Sequence, residues 1–162
     1  MQLVQRTQLS TAAGAIEFTS IPQDATDLVL VLSLRGNTTG STTYLVRFNG
    51  DSGANYDKNY VRVVGTTLTA VDTANATSAV DGVLPSSATT AFFTTNTTYI
   101  KNYTASQSKL VSSDFVNIGT NSVASITNNY WNSSSAITSI TITTNGTFAT
   151  LSSASLYKIT KA

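Results

Sequence analysis

Apolar and polar residues alternate in short runs along the whole chain, broken by clusters of Gly, Asn, Asp and Ser. A period of two in segments of five to ten residues is the mark of half-buried strands, since successive side chains of a strand point to opposite faces. The pattern predicts strands over 15–20, 27–35, 43–48, 59–64, 89–94, 98–103, 109–116, 122–126, 137–144 and 148–159. No stretch holds a helical period with caps at both ends. Gly36-Asn37, Asn49-Gly50 and Asn145-Gly146 read as turns, because these residues tolerate positive φ. The last pair predicts a closing antiparallel hairpin, with Ile140 and Ile142 on one arm and Phe148 opening the other. From 66 to 90 the residues shift to Ala, Thr, Ser and Asp with Pro85, which predicts a long connection or a short edge hairpin.

Many short strands without helical crossovers specify an all-β fold, an antiparallel sandwich or barrel. A jelly-roll β-sandwich is the favoured expectation. An immunoglobulin-like sandwich comes second, because the Cys–Trp–Cys hallmark is missing. With no linker by composition and no internal repeat, residues 1–162 read as one domain.

The segment 27–35 departs from simple alternation. Leu28, Leu30, Leu32 and Leu34 share one face while Val29 and Val31 occupy the other. A strand apolar on both faces is covered on both. Either a loop of the same chain covers the second face or another subunit does.

Composition narrows the function. The chain has 162 residues, 41% of them hydrophobic and only 10% charged, against about 25% charged in ordinary soluble proteins. Polarity comes from hydroxyls and amides instead. A net charge of +1 supplies no field to hold nucleic acid or an anionic membrane, so neither is expected as a partner. No apolar run reaches the ~18 residues of a membrane span. Residues Met1 to Arg6 lack the apolar region of a secretory signal, so export by that route is not expected. Sequons such as those at Asn37, Asn75, Asn96, Asn102, Asn132 and Asn145 follow from the abundance of Asn, Ser and Thr.

There is no histidine and no cysteine. The usual acid–base group near neutral pH, the thiol nucleophile and the common ligands of zinc and copper are therefore all missing. The one glutamate, Glu17, and the dispersed aspartates give no support to a glycosidase pair. No nucleophile elbow or phosphate loop is present. The expectation is a protein that is not an enzyme and needs no cofactor.

Four groups of residues remain as candidate sites. Oxygens of Asn49, Asp51, Asn55 and Asp57 recur at odd positions, which makes Asp51 and Asp57 weak calcium candidates beside an Asx-rich turn. Arg35 and Arg47 sit near strand ends beside Asn/Gly turns, with Asn49 and Asp51 close in sequence. They suit structural ion pairs with Asp51 or Asp57 that lock the loop. Tyr130 and the lone Trp131, flanked by Asn129 and Asn132, could stack on a sugar, although a lone Trp in a small β-domain more often belongs to the core. Tyr99 and Tyr103, with Lys101 between them, could line a ligand or interface stripe or a packed sheet face.

Three stretches carry a family resemblance: Ile16-Glu17-Phe18-Thr19-Ser20-Ile21-Pro22, the strand from Asp27 to Arg35, and Val46-Arg47-Phe48-Asn49-Gly50-Asp51-Ser52-Gly53-Ala54-Asn55-Tyr56. With the closing segments 136–144 and 148–157, this order resembles a group of β-rich virion surface proteins of tailed bacteriophages. The resemblance implies a particle-surface module, either alone on the capsid as a decoration or cement protein or as a domain of a head or tail fibre. It implies no enzyme, and partners that are the major capsid protein or other virion proteins. A homo-oligomer (trimer or dimer) fits closed symmetry. Location on a virion assembled in the host cytoplasm is the corresponding expectation. The alternative is a receptor- or carbohydrate-binding module that takes a host surface glycan.

Overall fold

Alternating apolar side chains can be buried only if the strands form layers whose inward faces meet. A computed structural model describes residues 1–40, 42–85, 92–118 and 122–160. It contains twelve strands: β1 (Gln2–Gln8), β2 (Ala13–Phe18), β3 (Asp27–Leu34), β4 (Thr42–Phe48), β5 (Tyr56–Val64) and β6 (Thr67–Ala76), then β7 (Val80–Leu84), β8 (Thr94–Ile100), β9 (Lys109–Asn117), β10 (Val123–Trp131), β11 (Ile140–Phe148) and β12 (Ser153–Ile159). They form two antiparallel sheets packed as a sandwich. The large sheet has the order β1-β12-β3-β8-β9-β10-β5-β6 and the small sheet β2-β11-β4-β7.

The core lies between the sheets. Leu28, Leu30, Leu32 and Leu34 of β3 and Leu156 of β12 face Ile16, Phe18, Val46, Phe48, Ile140, Ile142 and Phe148 of the small sheet, all buried. At ~1.5–3 kcal/mol per buried large apolar side chain, this layer is the main stabilising term. Three fully buried tyrosines, Tyr44, Tyr56 and Tyr103, extend it. Gly82 is required beside Tyr44, since a Cβ there would lie 2.5 Å from the ring.

β1 goes beyond the sequence expectation, while β6 and β7 fall in 66–90, where a long connection or a short edge hairpin is expected. β1 and β6 are the two edges of the large sheet and β7 is an edge of the small one. Edge strands such as Gln2–Gln8 and Thr67–Ala76 are mostly exposed, so they carry no apolar stripe to detect. β6 pairs with β5 across Gly65, which has φ +59°, so the stretch from 66 onward opens with an edge hairpin. The strand expected over 89–94 falls partly on 89–91, outside the described residues.

The closing hairpin is a correction. Asn145-Gly146 lies within β11 at an irregularity in its pairing with β2, and β11 and β12 belong to opposite sheets. The chain turns later, through Leu151 at φ +69° and a Ser152 N–H to Ala149 O bond of 3.2 Å. Ile140, Ile142 and Phe148 on one arm, and Ala154 and Leu156 on the other, are all buried. A flat hairpin would show both sets to the same side, whereas crossing the core buries each from its own layer.

β3 is central, between β12 and β8. On its outer face Val29 is buried with Tyr99 and Tyr157 as cross-strand neighbours, while Val31, next to Thr97 and Ser155, stays exposed. Flanking tyrosines, rather than a loop, close part of that face.

Candidate functional site

The polar loop after β4 is built on a tight turn. Asn49 and Gly50 both take positive φ (52° and 69°) and Asp51 N–H bonds Phe48 O at 2.9 Å, a hairpin-type turn that Asn and Gly favour. The Asn49 side chain then accepts from Thr138 N–H (2.8 Å) and Ser139 N–H (3.1 Å) and donates to Ala136 O (2.8 Å). It ties the loop to the segment leading into β11. Asn49 thus acts as the structural turn residue that the sequence suggests.

Asp51 accepts from Trp131 Nε1–H at 2.7 Å, Gly53 N–H at 2.9 Å and Asn55 Nδ2 at 3.0 Å. Burial raises its pKa, but these three donors outweigh that and hold it below the usual carboxylate value. Trp131 is only 2% exposed. It stacks near Tyr56 (6.3 Å between ring centroids) and meets Phe48 edge-on (5.6 Å). Above its ring lies the buried Lys109, whose ammonium bonds Gln107 O (2.5 Å) and Ser133 O (3.2 Å). Trp131 is therefore a core residue with its one polar atom satisfied, which corrects its candidacy as a sugar platform.

The other candidates are dispersed. Tyr103 is fully buried, with its hydroxyl on Pro22 O. Tyr99 donates to the buried Asp27 at 2.5 Å. β8 ends at Ile100, so Tyr99 faces outward from the sheet while Tyr103 turns into the core, and the two share no stripe. Tyr130 is partly exposed on the outer face of the large sheet and donates to Asp57 at 2.5 Å. This bond, with Asn75 N–H, keeps the Asp57 carboxyl below its ordinary pKa.

Asp51 and Asp57 do not converge on a cation, because Tyr56, one residue before Asp57, faces the core and Asp57 faces out. Among the described residues no group of three or more acidic side chains gathers. The arginines also take partners other than the expected carboxylates. Arg47 Nε donates to Thr77 O at 2.8 Å and the Arg35 guanidinium lies 5.1 Å over the Phe93 ring.

The feature that sequence reading missed lies on β9, β10 and β5. Their inward faces mix buried polar residues with apolar ones, and their outward faces carry a cluster of exposed apolar residues among polar ones. Inside, Asn96 Nδ2 donates to Ser113 Oγ (2.7 Å) and Asp114 O (2.9 Å), and Thr98 Oγ1 donates to Asn96 Oδ1 (2.8 Å). Asn129 Nδ2 reaches Ala79 O at 2.6 Å. These buried amides and hydroxyls satisfy one another. Outside, Val61 and Ile126 are direct cross-strand neighbours, as are Val63 and Ala124, and Val116 and Ala124. Ile126 is 68% exposed, and Val61, Val63 and Val116 are exposed beside it. Leu68 of β6, also exposed, continues the patch from Val63. Period-two analysis finds this alternation but assigns the apolar face inward by default.

Because the large sheet is wider than the small one, the inner face of β5 is only partly covered at the β7 edge. There Lys58 bridges Asp81 at 2.5 Å, and Arg62 lies over the Tyr60 ring at 5.6 Å. The cleft between them holds about 70 Å³. That is far below the ~300 Å³ where small-molecule sites begin, so it accommodates water or a single small group.

No family model, no curated protein and no solved structure matches this chain.

Proposed function

We propose that this chain is a non-enzymatic structural subunit that packs into a larger protein coat through the outer face of its large sheet. The observation that carries this reading is the contiguous apolar patch of Val61, Val63, Val116, Ala124 and Ile126 across three neighbouring strands. Patches of this kind on a monomer mark interaction surfaces. A surface of hydroxyls and amides with few charges packs on neighbours without the cost of desolvating ions.

The resemblance of segments 16–22, 27–35 and 46–56 directs the proposal further, to a capsid decoration or cement protein on the head of a tailed bacteriophage. The repeated passage of the chain between sheets, at β1 to β2, β2 to β3, β3 to β4, β4 to β5, β6 to β7, β7 to β8, β10 to β11 and β11 to β12, favours the jelly-roll version of the sandwich. The carbohydrate-binding alternative loses its main platform with the burial of Trp131 and rests on Tyr130 alone.

The test is to label this chain on intact particles from infected cells and locate it by electron microscopy. Density distributed over the head lattice is the expected result. Label confined to the tail, or absent from particles, refutes the decoration reading.

A further inference from the structure

On the opposite side of the large sheet from the apolar patch, the inner face of β5 opens into the cleft at the β7 edge. We infer that this cleft is an oxyanion site, which takes one carboxylate or phosphate group on the guanidinium of Arg62. The site is independent of the assembly reading.

Strand register builds one wall. Lys58, Tyr60 and Arg62 are alternate residues of β5 and share its inner face, with Thr127 opposite Tyr60 and Ser125 opposite Arg62 on β10. Thr43 of β4 and Asp81 of β7 stand on the other wall, and the space between holds about 70 Å³. Three charged side chains line it. Lys58 is committed, since its ammonium bridges Asp81 at 2.5 Å and reaches Ser78 Oγ at 3.3 Å. Arg62 is not. Its Nε is buried without a hydrogen-bond partner among the described residues, and the ion pairs there, Lys58 with Asp81 and Lys158 with Asp24, leave it out. A charged donor withdrawn from water and left without an acceptor costs free energy that an acceptor restores. Because Lys58 and Asp81 neutralise each other, the cleft carries one uncompensated positive charge. It repels a cation, and a neutral group leaves that charge unmatched.

The guanidinium is also held ready. Its carbon lies over the Tyr60 ring at 5.6 Å, which occupies the flat face and leaves the donors at its edge. Those donors form a fork that matches two oxygens of a carboxylate or phosphate. The hydroxyls of Thr43 and Tyr60 line the same space and donate to no other described residue. Those of Ser125 and Thr127 are spent on Val61 O (3.2 Å) and Ser113 O (3.4 Å), so they shape the wall without adding donors. Size agrees with charge. A water takes up ~30 Å³ of the liquid, so the cleft suits a group with the bulk of about two waters.

The test uses the full wild-type chain in an amine buffer, with sodium chloride holding the ionic strength constant. Inorganic phosphate and acetate are the probes, and the Arg62 Nε–H resonance, assigned through bonds, is the readout. Its shift should saturate with Kd ~1 mM, as suits a ligand of about five heavy atoms. The resonances of Arg6, Arg35 and Arg47 should show no such saturation. At ~100 mM phosphate, Tm should rise about 5–10 °C above the chloride control, and Arg62→Gln should abolish that increment. Methyl phosphate separates two sources of the group. Affinity equal to that of phosphate marks a terminal group on a larger ligand, a loss of about ten-fold or more marks the free ion, and both uphold the oxyanion assignment.

Phosphate also stabilises folded proteins by exclusion from their surface. An Arg62 shift that grows without saturating, or a Tm rise equal in wild type and Arg62→Gln, reduces the effect to that exclusion and overturns the site. If Arg62→Gln loses the native circular dichroism, the wild-type resonance decides alone.

Discussion

Replacing Asp51 by alanine tests how the loop after β4 is locked to the core. The substitution removes the acceptor of three donors, but they differ in what happens next. Gly53 N–H and Asn55 Nδ2 belong to exposed residues and can turn to water at little cost. Trp131 Nε1–H belongs to a residue 2% exposed and is left without its 2.7 Å partner. A buried donor stripped of its acceptor costs about 1–3 kcal/mol, so Asp51→Ala should lose ~2 kcal/mol. For a domain of this size each kcal/mol is worth roughly 2–4 °C, so Tm should fall by about 4–8 °C.

Trp131 is the only tryptophan, so urea unfolding followed by its fluorescence reports directly on this corner. The loss should depend on pH with a defined sign. The folded Asp51 pKa is depressed, so its contribution is complete above the unfolded value near ~3.9 and is lost as pH falls through the folded value. The gap between wild type and Asp51→Ala should therefore be full at pH 6 and close in strong acid. In a Trp131→Phe background, followed by circular dichroism, the same change should cost much less, since the donor is already gone. A loss under ~0.5 kcal/mol at pH 6, or one equally large with and without Trp131→Phe, refutes the lock.

Further outcomes follow from the interior. Tyr44 is fully buried and its hydroxyl has no hydrogen-bond partner among the described residues, so Tyr44→Phe should be neutral or stabilising by ~1 kcal/mol in thermal denaturation. Gly82→Ala forces a Cβ to 2.5 Å from the Tyr44 ring and should destabilise by about 1–3 kcal/mol in the same assay. Thr98→Val removes the donor to buried Asn96 Oδ1 and should cost about 1–3 kcal/mol by urea titration. Burial pushes the Tyr56 phenol up to about 12. Folding then favours its protonated form, so stability should decline as pH rises from ~10 towards 12, and ultraviolet titration should show Tyr56 ionising late.

The strands that face the core on one side were legible because burial imposes a period of two on them. The stripe of Leu28, Leu30, Leu32 and Leu34 is the clearest case. Edge strand β1 was not legible and β6 only as one of two readings, since exposure on most positions removes the selection for apolar residues. Asn49 announced its turn because positive φ restricts the residues that can serve. The bond from Trp131 to Asp51 was hidden, since the two lie 80 positions apart in the chain and long-range pairing leaves no local mark.

What the sequence determines alone is the layer type: alternation demands sheets, and the shortage of charge demands polarity from hydroxyls and amides. Which side of each strand meets the core is decided only by tertiary structure. In β10, Val123, Ser125, Thr127, Asn129 and Trp131 face in while Ala124, Ile126, Asn128 and Tyr130 face out. Either face could serve by pattern. The inward choice buries Trp131, worth some 150–250 Å², and lets the intervening hydroxyls and amides bond to one another. Its consequence is an outer face on which Ile126, Val61, Val63 and Val116 stay exposed to solvent.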